Sequence, residues 1–206
     1  KATSHGLSHG HYDKLTMAYY DNGNEILTDY GASRFINIEA KYKGHYTKLN
    51  KGFAMQTIAH NTLTADGRSH FDADIKRASD FHAEILFADF DRPDVQIVSA
   101  VDRNAYEGIA MRRTTAYVTT PFLQYPLILD LVKAESAAEH RYDLPYWYNG
   151  HMISLNFPYE RAVDRMVPLG EKNGYQHIWV EAEGRNTASN TACYTWIAGD
   201  RFYSLS

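Results

Sequence analysis

Alternating and continuous apolar runs predict β-strands along most of the chain. Between residues 175 and 182, Ile178, Val180 and Ala182 alternate with more polar or aromatic positions, which is the period of a half-buried strand. No long amphipathic helical pattern is present. Turn-forming residues separate the apolar runs, which predict strands at 82–90, 95–105, 109–119, 127–134, 151–157, 161–167, 175–183 and 192–198.

A succession of strands without intervening helices favours stacked antiparallel sheets over a parallel α/β fold. The predicted fold class is therefore all-β, a large antiparallel β-sandwich. A chain of 206 residues is long enough to form one such domain, so we expect a single domain over 1–206. Because it begins at Lys1 and still has a strand-like pattern at 201–206, we interpret it as a segment of a longer protein.

Composition excludes several classes of function. The formal net charge is -4 with both signs interspersed, so no basic stripe for nucleic acid is present. No apolar run approaches the ~20 residues that a helix needs to span a bilayer. Cys193 is the only cysteine, which excludes an intrachain disulfide and a thiolate zinc site. The 16 Tyr, 9 Phe and 3 Trp suit either a β core or a carbohydrate cleft.

The first candidate chemistry lies near the N-terminus. Strand-like runs at 14–20 and 25–29 are joined by a turn containing Asn22 and Gly23, and this pair favours a tight hairpin. The hairpin predicts that His11 and Asp29 are neighbours near its open end. The turn therefore links two residues that can bind a metal.

A third histidine, His60, follows in the segment 56–62. Imidazole and carboxylate groups together suit zinc or a similar divalent cation better than calcium or magnesium, which prefer oxygen ligands. The trio His11, Asp29 and His60 is therefore the predicted metal site. The alternative is that the two histidines of His9-Gly10-His11 are ordinary polar residues at the mouth of a strand.

Two further stretches are candidates for the border of a site. The polar and aromatic stretch 32–46 is predicted to form a short helix and a loop. The loop 140–151 contains several aromatic residues, two histidines and a proline. It either borders a ligand or covers the edge of a sheet.

Four motifs carry a resemblance to a known family. They are His-Gly-His-Tyr-Asp at 9–13, Leu-Thr-Asp-Tyr-Gly at 27–31, Asn-Ile-Glu-Ala-Lys-Tyr at 37–42 and Gln-Thr-Ile-Ala-His-Asn-Thr at 56–62. Together they resemble the heparinase II/III-like polysaccharide lyases, with the alginate and oligoalginate lyases of polysaccharide lyase family seventeen as the closest match. The resemblance extends through nearly the whole chain.

The resemblance implies a fold in which an N-terminal α/α-toroid precedes a β-sandwich and an acidic polysaccharide lies between them. Only the β part is expected here. The resemblance also implies zinc bound by His11, Asp29 and His60, a catalytic tyrosine at Tyr46, a substrate-binding arginine at Arg34 and a cleft-facing His9. The toroid contributes an asparagine, a histidine and a second tyrosine, so this segment alone is expected to be incomplete.

The implied reaction is β-elimination at a uronate residue, which removes the C5 proton and expels the O4 oxygen. Arg34 can neutralise the substrate carboxylate by a bidentate contact. Tyr46 can serve as acid, base or both, with His9 holding it or sharing that role. The metal is expected to be structural, because ligands from separate segments would fix those segments, and Asn61 or Asp13 could orient the imidazoles.

The sequence-level conclusion is a lyase that cleaves alginate or oligoalginate, with exolytic action expected. A homodimer and a periplasmic or secreted bacterial location are further expectations. A glycosaminoglycan lyase, a cupin-like metal oxygenase and a non-catalytic carbohydrate-binding sandwich with a structural metal are the alternatives. The net charge of -4 is unfavourable for binding a sulfated polysaccharide. A cupin-like oxygenase site would need a glutamate soon after His11, and this chain has none there.

Overall fold

The fold was analysed in a computed structural model that describes residues 1–4, 9–31, 48–187 and 191–206. Strands are the main regular structure in these residues, and the prediction of an all-β antiparallel sandwich is confirmed. The strands are β1 (Tyr19–Asp21), β2 (Asn24–Leu27), β3 (Thr64–Ala65), β4 (Glu84–Asp89), β5 (Val95–Tyr106), β6 (Ile109–Val118), β7 (Leu127–Ser136), β8 (Tyr142–Asp143), β9 (His151–Leu155), β10 (Tyr159–Arg161), β11 (Val167–Pro168), β12 (Trp179–Val180), β13 (Ala182–Gly184), β14 (Tyr194–Ala198) and β15 (Arg201–Leu205).

Helices within the described ranges are short. Helix α1 (Ile75–Asp80) begins after Asp74, whose side chain accepts hydrogen bonds from the backbone N–H groups of Lys76 and Arg77. No helix among the described residues has the length and apolar character needed to cross a membrane. The others are a π-helix at Asn50–Ala54 and 3₁₀ helices at Thr57–Ala59, His70–Ala73 and Tyr175–His177.

The largest sheet that the described residues form is antiparallel, with the strand order β4-β5-β6-β7. Each end of its strands lies within two residues of the predicted end. One face packs on a buried core that includes Met111, Tyr106 and Phe71. On the other face Leu129 and Leu131 of β7 are exposed. Only one face of the sheet therefore packs against the core, which it shares with the N-terminal segments.

The N-terminal hairpin is shorter than predicted. Its turn has left-handed backbone at Asn22 and Gly23, as the Asn-Gly pair indicates. Strand pairing between β1 and β2 ends at Tyr19 and Leu27, so the ladder does not reach the two metal-binding candidates. Other contacts must therefore hold the ends of the two segments together.

The second half of the chain forms smaller antiparallel sheets, namely β15-β14-β9, β10-β13, β11-β12 and β3-β8. The predicted strand 161–167 is wrong in its centre, because only its ends fall in strands β10 and β11. The predicted strand 175–183 is also wrong in part. It begins as a 3₁₀ helix and continues as two short strands that pair with different partners, β11 and β10.

The aromatic loop 140–151 covers a sheet edge. The backbone N–H of Thr28 donates to the Trp147 carbonyl at 2.9 Å, and the N–H of Asn149 donates to the Ile26 carbonyl at 3.1 Å. These bonds satisfy backbone groups along the free edge of β2. The geometry supports the second of the two readings of this loop.

Candidate metal centre

His11, Asp29 and His60 come together in the folded chain. Each offers one ligand atom, and these atoms all lie within 4.8 Å of one another. His60 has no exposed surface, whereas His11 and Asp29 are partly exposed. The predicted convergence is therefore found, while the role of the three residues as metal ligands stays a prediction.

His60 and Asp29 are in direct contact. The Nδ1 atom of His60 lies 2.9 Å from Oδ2 of Asp29. Since a carboxylate only accepts hydrogen bonds, Nδ1 must carry the hydrogen, and in the neutral ring Nε2 has a free lone pair. That Nε2 atom is buried and has no hydrogen-bond partner among the described residues. A buried acceptor without a partner is costly, and a bound cation would satisfy it.

The electrostatic setting favours the protonation states that a cation requires. Burial, followed by the nearby His60, lowers the pKa of His11 to about 4. Burial alone would raise the pKa of Asp29, but the hydrogen bond with His60 and its proximity lower that pKa to about 2. At neutral pH His11 is therefore neutral and Asp29 ionised, which are the forms that bind metals.

Asn61 holds together the segments that carry the cluster. Its Nδ2 atom donates to the carbonyl oxygens of Met17 at 3.0 Å and Thr28 at 2.8 Å. Its Oδ1 accepts from the backbone N–H of Trp147. The suggestion that Asn61 orients an imidazole directly is wrong, because its side chain binds backbone groups of the neighbouring segments. Asp13 forms an ion pair with the side-chain ammonium of Lys1 at 2.8 Å, and its charge partly opposes the lowering of the His11 pKa by burial.

A fully buried histidine lies between the segments that carry His11 and His60. Nδ1 of His70 accepts from the backbone N–H of Lys14 at 3.2 Å, and Nε2 donates to the Leu63 carbonyl at 3.0 Å. The ring also packs edge-on against Tyr106. Because Nδ1 must accept, a second proton on His70 would break the bond to Lys14, and burial lowers the pKa of His70 to about 4.

The remaining predicted site residues are less fully placed. His9 is exposed and precedes His11 by two positions. Arg34 and Tyr46, with the predicted short helix and loop at 32–46, lie outside the described residues. The described residues therefore include the three candidate metal ligands but not the two groups assigned to substrate binding and proton transfer.

Sequence reasoning missed the buried pair of Arg113 and Asp130. Their side chains are only 6% and 10% exposed, with Nη2 and Oδ2 2.7 Å apart. Both residues lie inside apolar strands, at positions where a charge is rarely buried unless it is paired. A basic residue and an acidic residue in adjacent strand patterns were the available signal.

Fold and site together define a class of protein, namely an all-β antiparallel domain with a His-Asp-His cluster in its N-terminal segments. The family described as heparinase II/III-like, C-terminal, matches residues 1–200, and the chain belongs to that family. The resemblance inferred from the four motifs is thereby confirmed.

Two relatives match nearly the whole chain. An exo-oligoalginate lyase of Saccharophagus degradans is 44% identical over 209 residues, covering 100% of this chain and 28% of the relative. An alginate lyase of Stenotrophomonas maltophilia is 43% identical over 204 residues, covering 99% and 27%. The chain thus spans just over a quarter of the length of these relatives.

The buried His70 gives a prediction for acid stability. Below pH 6.5 the unfolded chain binds a proton at this residue that the folded chain does not bind until about pH 4. The unfolding free energy should therefore fall as the pH drops through that window, by on the order of 3 kcal/mol for His70, with His11 adding to the loss. Chemical unfolding at several pH values in the presence of a chelator measures this change in the unfolding free energy.

The variant His70→Gln should flatten this acid-side slope, since no proton is taken up at residue 70 in either state. His151→Gln, which replaces an exposed histidine, is the matched control and should retain the wild-type slope. Equal slopes for wild type and His70→Gln would contradict the prediction.

Proposed function

We propose that the complete protein is a polysaccharide lyase that cleaves alginate or oligoalginate by β-elimination and acts exolytically. The observation that carries the proposal is the His11, Asp29 and His60 cluster in a chain 43–44% identical to proteins named alginate lyase and exo-oligoalginate lyase. Membership of the heparinase II/III-like family supports the same reaction class. The net charge of -4 supports a uronate polymer over a sulfated one, which would call for a more basic cleft.

The reaction sets the demands on the side chains. A substrate carboxylate beside C5 makes the C5 proton poorly acidic, so the site must neutralise that charge before a base can remove the proton. The departing O4 oxygen then needs a proton donor. In the proposal Arg34 binds the carboxylate through its planar guanidinium, and Tyr46 transfers protons at C5 and O4. His9, two residues from the cluster, assists Tyr46.

The residues of the cluster fit a zinc ion. Two imidazoles and a carboxylate are common zinc donors, and the partnerless Nε2 of His60 supplies a buried lone pair. His11, Asp29 and His60 would hold the ion, which would supply a fixed positive centre that ties three segments together. We assign it a structural role, because its effect would be to fix the segments from which His9, Arg34 and Tyr46 act.

A toroid domain in the same protein completes the proposal. The relatives are more than three times as long as the matched region, which leaves room for a second domain in each of them. We propose that such a domain forms the other wall of the cleft and supplies the asparagine, the histidine and the second tyrosine implied by the resemblance. Assembly into a homodimer stays a prediction.

The first test is the activity itself. The intact protein incubated with oligoalginate should produce ultraviolet absorbance from the unsaturated uronate product, and exolytic action should release unsaturated monomer from the earliest time points. Heparan sulfate serves as the comparison substrate. Absence of absorbance with oligoalginate, or a product pattern without early monomer, would refute the activity or the exolytic mode respectively.

The second test concerns the metal. Purified protein should contain roughly one zinc or similar ion per chain, and His60→Ala should lose it, since a three-residue site cannot retain the ion tightly with two ligands. Its unfolding temperature should also fall, because binding to separate segments is coupled to folding. Elemental analysis measures the content, with His151→Ala as the exposed control. Full metal retention by His60→Ala would disprove the assignment.

The third test separates the roles of Tyr46 and Arg34 in the full-length protein. Tyr46→Phe removes one hydroxyl group, so kcat should fall by roughly 10² or more with little change in KM. Arg34→Ala should raise KM as well as lower kcat, because the substrate carboxylate is bound in both the ground and the transition state. Steady-state kinetics on oligoalginate measures both.

Tyr125→Phe is the matched control for the loss of a tyrosine hydroxyl, because the Tyr125 side chain is 73% exposed. It should leave kcat and KM unchanged. Near-normal turnover by Tyr46→Phe would move the proton-transfer role to another residue of the complete protein.

A further inference from the structure

Arg113 lies in the middle of β6 with its side chain buried against the inner face of the main sheet. Its Nε donates to Oδ1 of Asp130 and its Nη2 to Oδ2, both at 2.7 Å. This two-point contact fixes the plane of the guanidinium. Asp130 is held in turn by the Tyr146 hydroxyl, which donates to Oδ2 at 2.8 Å.

The third nitrogen of Arg113 reaches out of the sheet. Nη1 donates to the carbonyl oxygen of Leu15 at 2.9 Å and also to the carbonyl oxygen of Asn61. Leu15 lies four residues after His11, and Asn61 directly follows His60. One nitrogen therefore joins the backbones of the two segments that carry the cluster histidines.

The segment that carries Asp29 is linked to Arg113 indirectly, through the side chain of Asn61. The Asn61 side chain donates to the carbonyl of Thr28, which directly precedes Asp29. It also donates to the carbonyl of Met17, on the segment that contains His11. All three cluster residues are therefore connected to Arg113 through hydrogen bonds to the backbone beside them.

We propose that Arg113, held by Asp130, is a positioning residue that sets the spacing of His11, Asp29 and His60 through the carbonyls of Leu15 and Asn61. The proposal rests on the metal site put forward above and assigns its geometry to the main sheet. A guanidinium is suited to this role because its donors lie in one rigid plane. A lysine has a single nitrogen and cannot keep all four contacts.

A merely structural role is the alternative, because a buried ion pair also affects stability. The two roles differ in what happens to the folded protein. A residue that only supports folding changes the population of folded molecules and leaves the metal affinity of those molecules unchanged. A residue that positions the ligands changes that affinity, and loss of such outer contacts usually costs ~10–100-fold.

The test uses the full-length protein and zinc alone as the probe. The dissociation constant for zinc is measured by competition with a chromophoric chelator, at a temperature where each variant is folded by circular dichroism. Arg113→Lys should bind zinc ~10–100-fold more weakly than wild type. Asp130→Asn keeps the size of the side chain but weakens its contact with the guanidinium, so it should also lower the affinity for zinc. It provides the test if Arg113→Lys does not fold.

Two controls isolate the effect. Arg103→Lys makes the same substitution on neighbouring strand β5 in an exposed pair, where Nη1 lies 2.8 Å from the Glu84 carboxylate. Ile109→Ala removes a buried side chain from β6 itself and lowers stability without touching these carbonyls. Both should keep the wild-type zinc affinity, and weakened affinity in Ile109→Ala that matches Arg113→Lys would overturn the proposal.

The outcomes separate the two proposals. If wild type binds zinc and both Arg113→Lys and Asp130→Asn bind it equally well, the positioning role is wrong while the metal site stands. If wild type binds no zinc or similar ion, the metal site is wrong and the positioning role is overturned with it. Weaker binding in the two variants alone supports both.

Discussion

The hydrogen bonds from Arg113 and Asn61 to backbone carbonyls are the interactions on which the candidate site depends. The β1–β2 ladder ends before it reaches the cluster, so strand pairing cannot hold the ends of the hairpin together. Two buried side chains take over that task by donating hydrogen bonds to the carbonyl oxygens of Leu15, Met17 and Thr28. A buried carbonyl without a partner costs about 1–3 kcal/mol, so each of these bonds favours one arrangement of the segments over others. Removing Arg113 would leave Asp130 as an unpaired buried charge as well, at a cost of about 3–5 kcal/mol.

The main sheet and the cluster were predictable for different reasons. Strands β4 to β7 follow long apolar runs with clear turns between them, so their ends could be placed closely. The convergence of His11, Asp29 and His60 followed from the Asn22-Gly23 turn and the family motifs, although the hairpin ladder is not what completes it. The orientation of β7 could not be predicted, because Leu129 and Leu131 are exposed while Asp130 faces the core. Hydropathy cannot anticipate that choice, because it depends on a charged partner on the adjacent strand.

The short strands of the second half were harder to predict, because their ends depend on partners that are distant in sequence. The run 175–183 has the period of a strand, but Gly174 adopts a left-handed backbone and the next residues close a 3₁₀ turn. The buried Tyr175 then reaches Asp143 and Thr64 with its hydroxyl. The alternation of apolar residues in this segment cannot show that the Tyr175 hydroxyl binds partners more than 30 residues away in sequence. Tertiary hydrogen bonding therefore overrides the alternation in this segment.

The charge balance around the cluster explains why an arginine can lie so close to a cation site. A guanidinium bonded to the residue beside His60 would repel a divalent ion if its charge were uncompensated, and the repulsion would be strong in a buried setting. Both oxygens of Asp130 bind that guanidinium, so the pair is neutral as a unit. The ionised Asp29 then remains as a negative group in direct contact with His60 and close to His11. The separation of these two carboxylates, one paired with Arg113 and one beside the imidazoles, makes the proposed metal site compatible with a rigid cationic anchor nearby.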